Sequence, residues 1–339
     1  MKASLRLISS LLSVLATVRA SPLVPRQSIT TLSAAQIASY KPYTYFASAA
    51  YCSPSATATW SCGAVCNANP GFIPVASGGD GASVQFWFVG FAPAQNTVIV
   101  SHQGTDTSQI EADLTDANAI LGNLDPSLFP GVSSSVEVHQ GFADEQAQTA
   151  TTILAAVQNA ISAHGATRVT VVGHSLGAAI ALLDGVYLNL HLPGITVTTI
   201  GYGQPRVGNQ AFADYVDAHL SVTHINNRED YIPILPGRFL GYHHTSGEVH
   251  IQDSGAWVSC PGQDNTSTQC TVGDVPNIFV GSSSDHGGPY DGVTMGLTVA
   301  EATDAGWAAY TGGVILYAKP YENPRVRDSI SSTLPSNVA

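Results

Sequence analysis

The chain has 339 residues, 24 acidic residues against 12 lysines and arginines, and a formal net charge of −12 with only 11% charged residues. That balance excludes nucleic acid and anionic membrane surfaces as partners, because both need clustered positive charge. No stretch reaches the roughly 18 uninterrupted apolar residues of a transmembrane segment, and no solenoid or propeller repeat is visible.

In chain order, Lys2 and Arg6 precede an apolar run from Leu7 to Val18 that ends in Val18-Arg19-Ala20. This is the pattern of a secretory signal peptide over residues 1–20, which predicts a secreted, extracellular protein. Pro25-Arg26-Gln27 then predicts a short pro-segment, 21–26. About 310 residues follow, enough for one large core, so a single domain over 27–339 is expected.

Residues 33–51 read as a helix with an apolar face. Val84 to Phe91 and Thr97 to Ser101 read as strands joined by a hairpin-length turn, Pro93-Ala94-Gln95-Asn96. Gly141 to His164 has helical spacing and stops at Gly165. Arg168 to Val172 is a β-branched run suited to a buried parallel strand. A helix from Leu176 to Leu190, a strand from Ile195 to Tyr202, a helix from Gln210 to Leu220, and strands over Ser221 to Asn226 and Glu248 to Ile251 complete the series. Such alternation predicts an α/β fold, a mostly parallel sheet with helices on both faces. Its active site should lie beyond the carboxyl ends of the strands.

The five cysteines are Cys52, Cys62, Cys66, Cys260 and Cys270. In an oxidising compartment the local pairs Cys62–Cys66 and Cys260–Cys270 are expected to bridge, leaving Cys52 over. A zinc site at Cys62 and Cys66 needs two further ligands at similar spacing and none follow, so no metal is expected. Asn265-Thr266-Ser267 is an N-glycosylation sequon.

The chemistry is concentrated in Gly173-His174-Ser175-Leu176-Gly177, where a strand runs directly into a helix. So tight a junction forces the serine into a strained backbone and needs small residues on either side of it. It also puts Ser175 at a helix N-terminus, where backbone N–H groups can stabilise an oxyanion. A serine hydroxyl needs a base, and the base needs an orienting carboxylate. Among the later acids Asp230 is the best placed, just past the strand Ser221 to Asn226 and ahead of Tyr231-Ile232-Pro233. Asp214 and Asp217 read as helix surface charges. For the base, His224 and His250 fall inside strands, and His243 and His244 follow the acid too closely. His286 lies in a small-residue loop near the end of the fold, where the last member of the triad should arrive. Gly104-Thr105 follows the early strand, so Thr105 and Leu176 are the expected oxyanion donors.

With these residues assembled, the chain from about residue 40 to 295 resembles the fungal class 3 lipases of the α/β-hydrolase fold. Gly173 to Ala179, Tyr202 to Asn209, Asp230-Tyr231-Ile232-Pro233 with Pro236, and Asp285-His286 carry the resemblance. It implies the same roles: Ser175 nucleophile, Asp230 acid, His286 base, Thr105 and Leu176 oxyanion donors. It also implies that the polar residues of Gly203-Gln204-Pro205-Arg206 are structural. The chain departs from the family in two places. The family usually has an arginine before the Gly-Ser/Thr of the oxyanion loop, where this chain has His102-Gln103-Gly104-Thr105. After the base, Gly287-Gly288-Pro289-Tyr290 stands where an aromatic pair is usual.

The resemblance further implies a lid helix in the segment from Asp106 to Ala117. Here Ile110 and Leu114 form a small apolar face and the remainder is mostly polar or acidic. The expected activity is therefore a lipase acting on acylglycerols and other lipid esters, at an oil–water interface and without a cofactor. A feruloyl or short-chain esterase is the alternative, and a non-catalytic binding protein on the same scaffold a remote one.

Overall fold

The computed structural model describes residues 28–105, 110–111, 114 and 119–296. The expected signal peptide (1–20), the expected pro-segment (21–26), most of the expected lid and the last part of the expected domain lie outside the described residues.

The large sheet has nine strands: β1 (Thr30–Thr31), β2 (Ile73–Gly78), β3 (Trp87–Ala92), β4 (Thr97–His102), β5 (Arg168–His174), β6 (Thr196–Tyr202), β7 (Ser221–Asn227), β8 (Glu248–Ile251) and β9 (Trp257–Cys260). Their spatial order is β1-β9-β8-β7-β6-β5-β4-β3-β2. The five central strands, β4 to β8, are parallel, and antiparallel strands flank them on both edges. The principal helices are α1 (Ala34–Ala49), α2 (Gln140–His164), α3 (Leu176–His191) and α4 (Gln210–His219). A second, small sheet pairs residues 121–123, 137–139, 208–209 and 242–243. This is the α/β-hydrolase fold.

Alternation along the strands sends side chains to two separate cores. Val89, Val98, Val100, Val169 and Val171 pack with α2 and α3 residues such as Ile153 and Leu183 on one face. Phe88, Ile99, Val172, Ile200 and Ile225 pack with Phe46 of α1 on the other. Helix α1 starts with a reciprocal cap: the Gln36 N–H donates to Ser33 Oγ, and the Ser33 N–H donates to Gln36 Oε1 at 2.9 Å.

Several features differ from the sequence reading, β1 and the small sheet among them. The strand expected from Val84 begins at Trp87, because Asp80 Oδ1 accepts the amides of Ala82, Ser83 and Val84 at 2.8, 2.8 and 2.9 Å and holds them in a turn. Strand β2 was not expected; it is an edge strand, interrupted by a register shift between Pro74 and Ala76. Strand β9, four residues long, also lacked a signal. The Cys62–Cys66 and Cys260–Cys270 bridges are present, and Cys52 is free and buried. Burial pushes the Cys52 thiol up to about 11. Among the described residues no helix is long and apolar enough to cross a membrane.

Candidate active site

The site is assembled where β4, β5 and β7 end. Strand β5 stops at His174, Ser175 follows with φ 60° and ψ −130°, and α3 begins at Leu176. A positive φ is costly for a residue with a Cβ and persists only where the surroundings impose it. They do so here through close backbone packing. A Cβ on Gly173 would meet the carbonyl of Gly177, and a Cβ on Gly177 would meet His102 O and lie 2.6 Å from Gln103 O. The Ser175 N–H donates to Tyr202 O at 2.9 Å, and Ser175 O accepts from Ala178 at 2.9 Å, which ties the bend to β6 and to its own helix.

Asp230 lies three residues beyond the end of β7 and is fully buried. Its Oδ1 accepts the Ile232 amide at 2.9 Å, and its Oδ2 accepts from His286 Nδ1 at 2.8 Å. Because that bond uses the Nδ1 proton, His286 Nε2 is left as the acceptor of a neutral ring. Ser175 Oγ and His286 Nε2 are both buried with no hydrogen-bond partner, so the two are not bonded to each other here. In unliganded hydrolases this bond is often long and tightens only when substrate arrives.

The loop carrying His286 is fastened at several points. Ser282 N–H donates to Glu229 O at 2.7 Å, and Asn227 Nδ2 donates to Asp285 O at 2.9 Å. His286 O accepts from the Tyr290 hydroxyl at 3.0 Å and from His174 Nε2 at 2.8 Å. A carbonyl only accepts, so His174 carries its proton on Nε2, and its Nδ1 accepts from the Tyr51 hydroxyl at 2.6 Å. Tyr51 in turn accepts from the Gly104 N–H. One chain of hydrogen bonds thus joins the loop before Thr105, the elbow, and the backbone of His286. Burial first, and then the neighbouring His286, hold the His174 imidazole well below its usual range and keep it neutral.

The loop that follows Asp230 is held by Arg206. Its guanidinium donates to Asp264 Oδ1 at 2.8 Å, to Pro236 O at 3.0 Å and to Ile234 O. His244 Nε2 donates to Pro233 O at 2.6 Å and the ring stacks on His224, centroids 4.7 Å apart. Burial leads in pushing His244 down to about 3 and in lowering His224. The polar residues of the Gly203 to Arg206 turn thus include a structural anchor, Arg206, while His224 and His250 are buried in strands.

The structure brings Asp230 and His286 into contact and puts Ser175 and Leu176 at the start of α3. Leu176 is the first helical residue, so its N–H is among those with no intrahelical acceptor. Thr105 lies in the loop after β4, half-buried, and a Cβ on the preceding Gly104 would lie 2.9 Å from Ser175 Cβ. Tyr51, Asn227 and Tyr290 were not singled out by sequence. His174 was visible only as the variable position of the elbow motif. Of the expected lid, Ile110, Glu111 and Leu114 are described: Ile110 and Leu114 are buried in the α2/α3 core, and Glu111 Oε2 accepts from the Tyr231 hydroxyl at 2.7 Å. Glu248, Cys260 and Cys270 form the one cluster of metal-ligand residue types among the described residues. Those two cysteines are bridged and offer no thiolate.

Residues 99–240 match the model of the family described as lipase (class 3). The secreted mono- and diacylglycerol lipase MDL2 of Malassezia globosa is 33% identical over 208 residues, 60% of this chain and 67% of that protein. The secreted mono- and diacylglycerol lipase LIP2 of Malassezia restricta is 30% identical over 57% of this chain and 61% of its own length. Among solved structures, lipase II from Rhizopus niveus superposes with a TM-score of 0.70 at 26% identity, covering 80% of this chain and 100% of that one. The triacylglyceride lipase of Rhizomucor miehei gives 0.69 at 26% identity with the same coverage. Sequence, fold and site geometry together make the chain a member of the class 3 lipase family.

Proposed function

We propose that the chain is a secreted lipase that cleaves acylglycerols and other lipid esters through an acyl-enzyme on Ser175. His286 Nε2 takes the proton of Ser175 Oγ as the oxygen attacks the ester carbonyl. Asp230 holds the imidazole by its Nδ1–H and stabilises the imidazolium, and the N–H groups of Thr105 and Leu176 receive the oxyanion. His286 then protonates the departing alcohol, the acyl–Oγ bond having formed and the ester C–O bond having broken. Water repeats the sequence to release the acid, so neither step calls for a metal or organic cofactor.

The observation that carries this reading is the 2.8 Å Asp230–His286 contact beside a serine held at positive φ on a helix N-terminus. A triacylglycerol lipase whose catalytic centre is a serine-protease triad, 26% identical over 80% of this chain with a TM-score of 0.69, supports the same assignment. For the substrate, support comes from the Malassezia lipases of mono- and diacylglycerols. A cavity of about 740 Å³ lies beside the Asp230 loop, lined by Leu114, Arg206, Ile234, Leu235, Arg238 and Ile278 among others, and none of Ser175, Leu176, Thr105 or His286 reaches its wall. Phe239, which lines that cavity, and Phe279, next in sequence to its lining residue Ile278, are 89% and 91% exposed and suit contact with an oil–water interface. Rates on a long-chain triglyceride or diglyceride emulsion, on methyl ferulate and on a soluble short-chain ester test the proposal. Turnover of the emulsion is expected, and turnover of the ferulate or the soluble ester alone would overturn the lipase reading in favour of an esterase.

A further inference from the structure

Behind the loop that carries Thr105 lies a second buried aspartate–histidine pair, outside the site described above. His102 is the last residue of β4, and its side chain leaves the sheet on the α2/α3 side, where its Nε2–H donates to Asp184 Oδ2 at 2.7 Å. Asp184 stands on α3, and its Oδ1 accepts from Gln146 Nε2 of α2 at 2.8 Å. His102 is 1% exposed, and Asp184 and Gln146 are 0% exposed. A carboxylate so far from water is expensive to hold, and an apolar trio of similar volume would usually be as stable or more so. The cluster therefore calls for a role other than adding stability.

The elements it joins suggest that role. Strand β4 runs through Gln103 and Gly104 directly into Thr105, while α3 opens with Leu176. The two groups expected to receive the oxyanion thus sit on the same two elements that His102 and Asp184 tie together. The backbones of these elements already touch at one end, where Gly177 packs against His102 O and Gln103 O. The side-chain bond adds a second fixed point about two turns further along α3. Gln103 supplies a lateral restraint: its N–H donates to Phe86 O at 2.8 Å and its Oε1 accepts from Phe86 N at 2.9 Å. The His102–Asp184 bond adds a directional polar tie to the apolar packing that already holds α3 against the sheet.

We infer that His102 and Asp184, supported by Gln146, are positioning residues for the oxyanion hole, setting the Thr105 loop against the start of α3. The inference rests on the reading of Ser175 as nucleophile and of Thr105 and Leu176 as donors. Asp184→Asn keeps the side-chain shape while weakening the bond to His102. In the folded variant, with active sites counted by end-point phosphonate titration, kcat on a soluble short-chain ester should fall about 10- to 100-fold with KM nearly unchanged. The rate advantage of an oxoester over its thionoester should shrink as well, because sulfur makes poor use of the same donors. A folded variant with parental kcat per titrated site and a parental oxoester-to-thionoester ratio would overturn the inference. If Asp184→Asn does not fold, Gln146→Leu, which leaves His102–Asp184 in place but frees Oδ1, is judged on the same two readouts with a smaller drop expected. A parent protein that neither hydrolyses the ester nor takes the phosphonate would be a separate outcome, overturning the Ser175 reading itself.

Discussion

Two buried aspartate–histidine pairs of nearly equal length, 2.8 Å for Asp230–His286 and 2.7 Å for Asp184–His102, flank the same elbow. Asp230 and His286 come from loops, and the histidine leaves one buried ring nitrogen without a partner. Asp184 and His102 come from the body of a helix and the end of a strand, where the second carboxylate oxygen is taken up by Gln146. A ring nitrogen kept free of other bonds can exchange a proton with a reacting atom. A pair enclosed between a strand and a helix fixes backbone. Pairing and burial are thus common to both pairs, and the proposed base differs in keeping an unpartnered ring nitrogen next to Ser175.

That contrast breaks most sharply at the carboxylates. Asp230→Asn is expected to lower kcat about 10⁴-fold, because the wrong tautomer of His286 is favoured. The loss should exceed that of Asp184→Asn by at least about 100-fold, and comparable losses would erase the distinction between the two pairs. Gly177→Ala should come next. Its Cβ is directed into the carbonyls of His102 and Gln103, so a destabilisation of about 1–3 kcal/mol with lowered kcat is expected from urea unfolding and ester assays.

Tyr51→Phe probes the link between the elbow and the His286 loop. It leaves His174 Nδ1 and the Gly104 N–H without their partner, and should cost about 1–2 kcal/mol of stability. A further test is in pH, where three buried imidazoles act together. His174, His224 and His244 are buried with depressed pKa values, so below about 6.5 the unfolded chain binds protons that the folded one does not. Stability should be fully present above that pH and fall by about 1.4 kcal/mol per unit for each such imidazole as pH drops toward the folded value. A flat melting temperature between pH 7 and 5 would contradict this.

Most parallel strands and the long helices were legible in the sequence because β-branched or helically spaced apolar residues run through them. The strand from Arg168, the helix from Leu176 and the four residues Glu248–Ile251 fall where periodicity put them. Strand β2 escaped because it is an exposed edge containing Pro74, and β9 because four residues beside a disulfide carry too little pattern. At the candidate site, motif and order singled out Ser175, Asp230 and His286, and the structure brings the last two into contact. The Tyr51–His174 link and the Asp184–His102 pair were not, since each joins positions more than 80 residues apart that only the folded sheet makes neighbours.

The most direct test is active-site labelling. The protein would be treated with an alkyl p-nitrophenyl phosphonate while hydrolysis of a soluble ester is followed, and the adduct mapped by peptide mass spectrometry. One phosphonyl group per chain on Ser175, with activity lost in step and no labelling of Ser175→Ala, is the expected result. Inactivation with the label on another residue, or undiminished hydrolysis by Ser175→Ala, would contradict it.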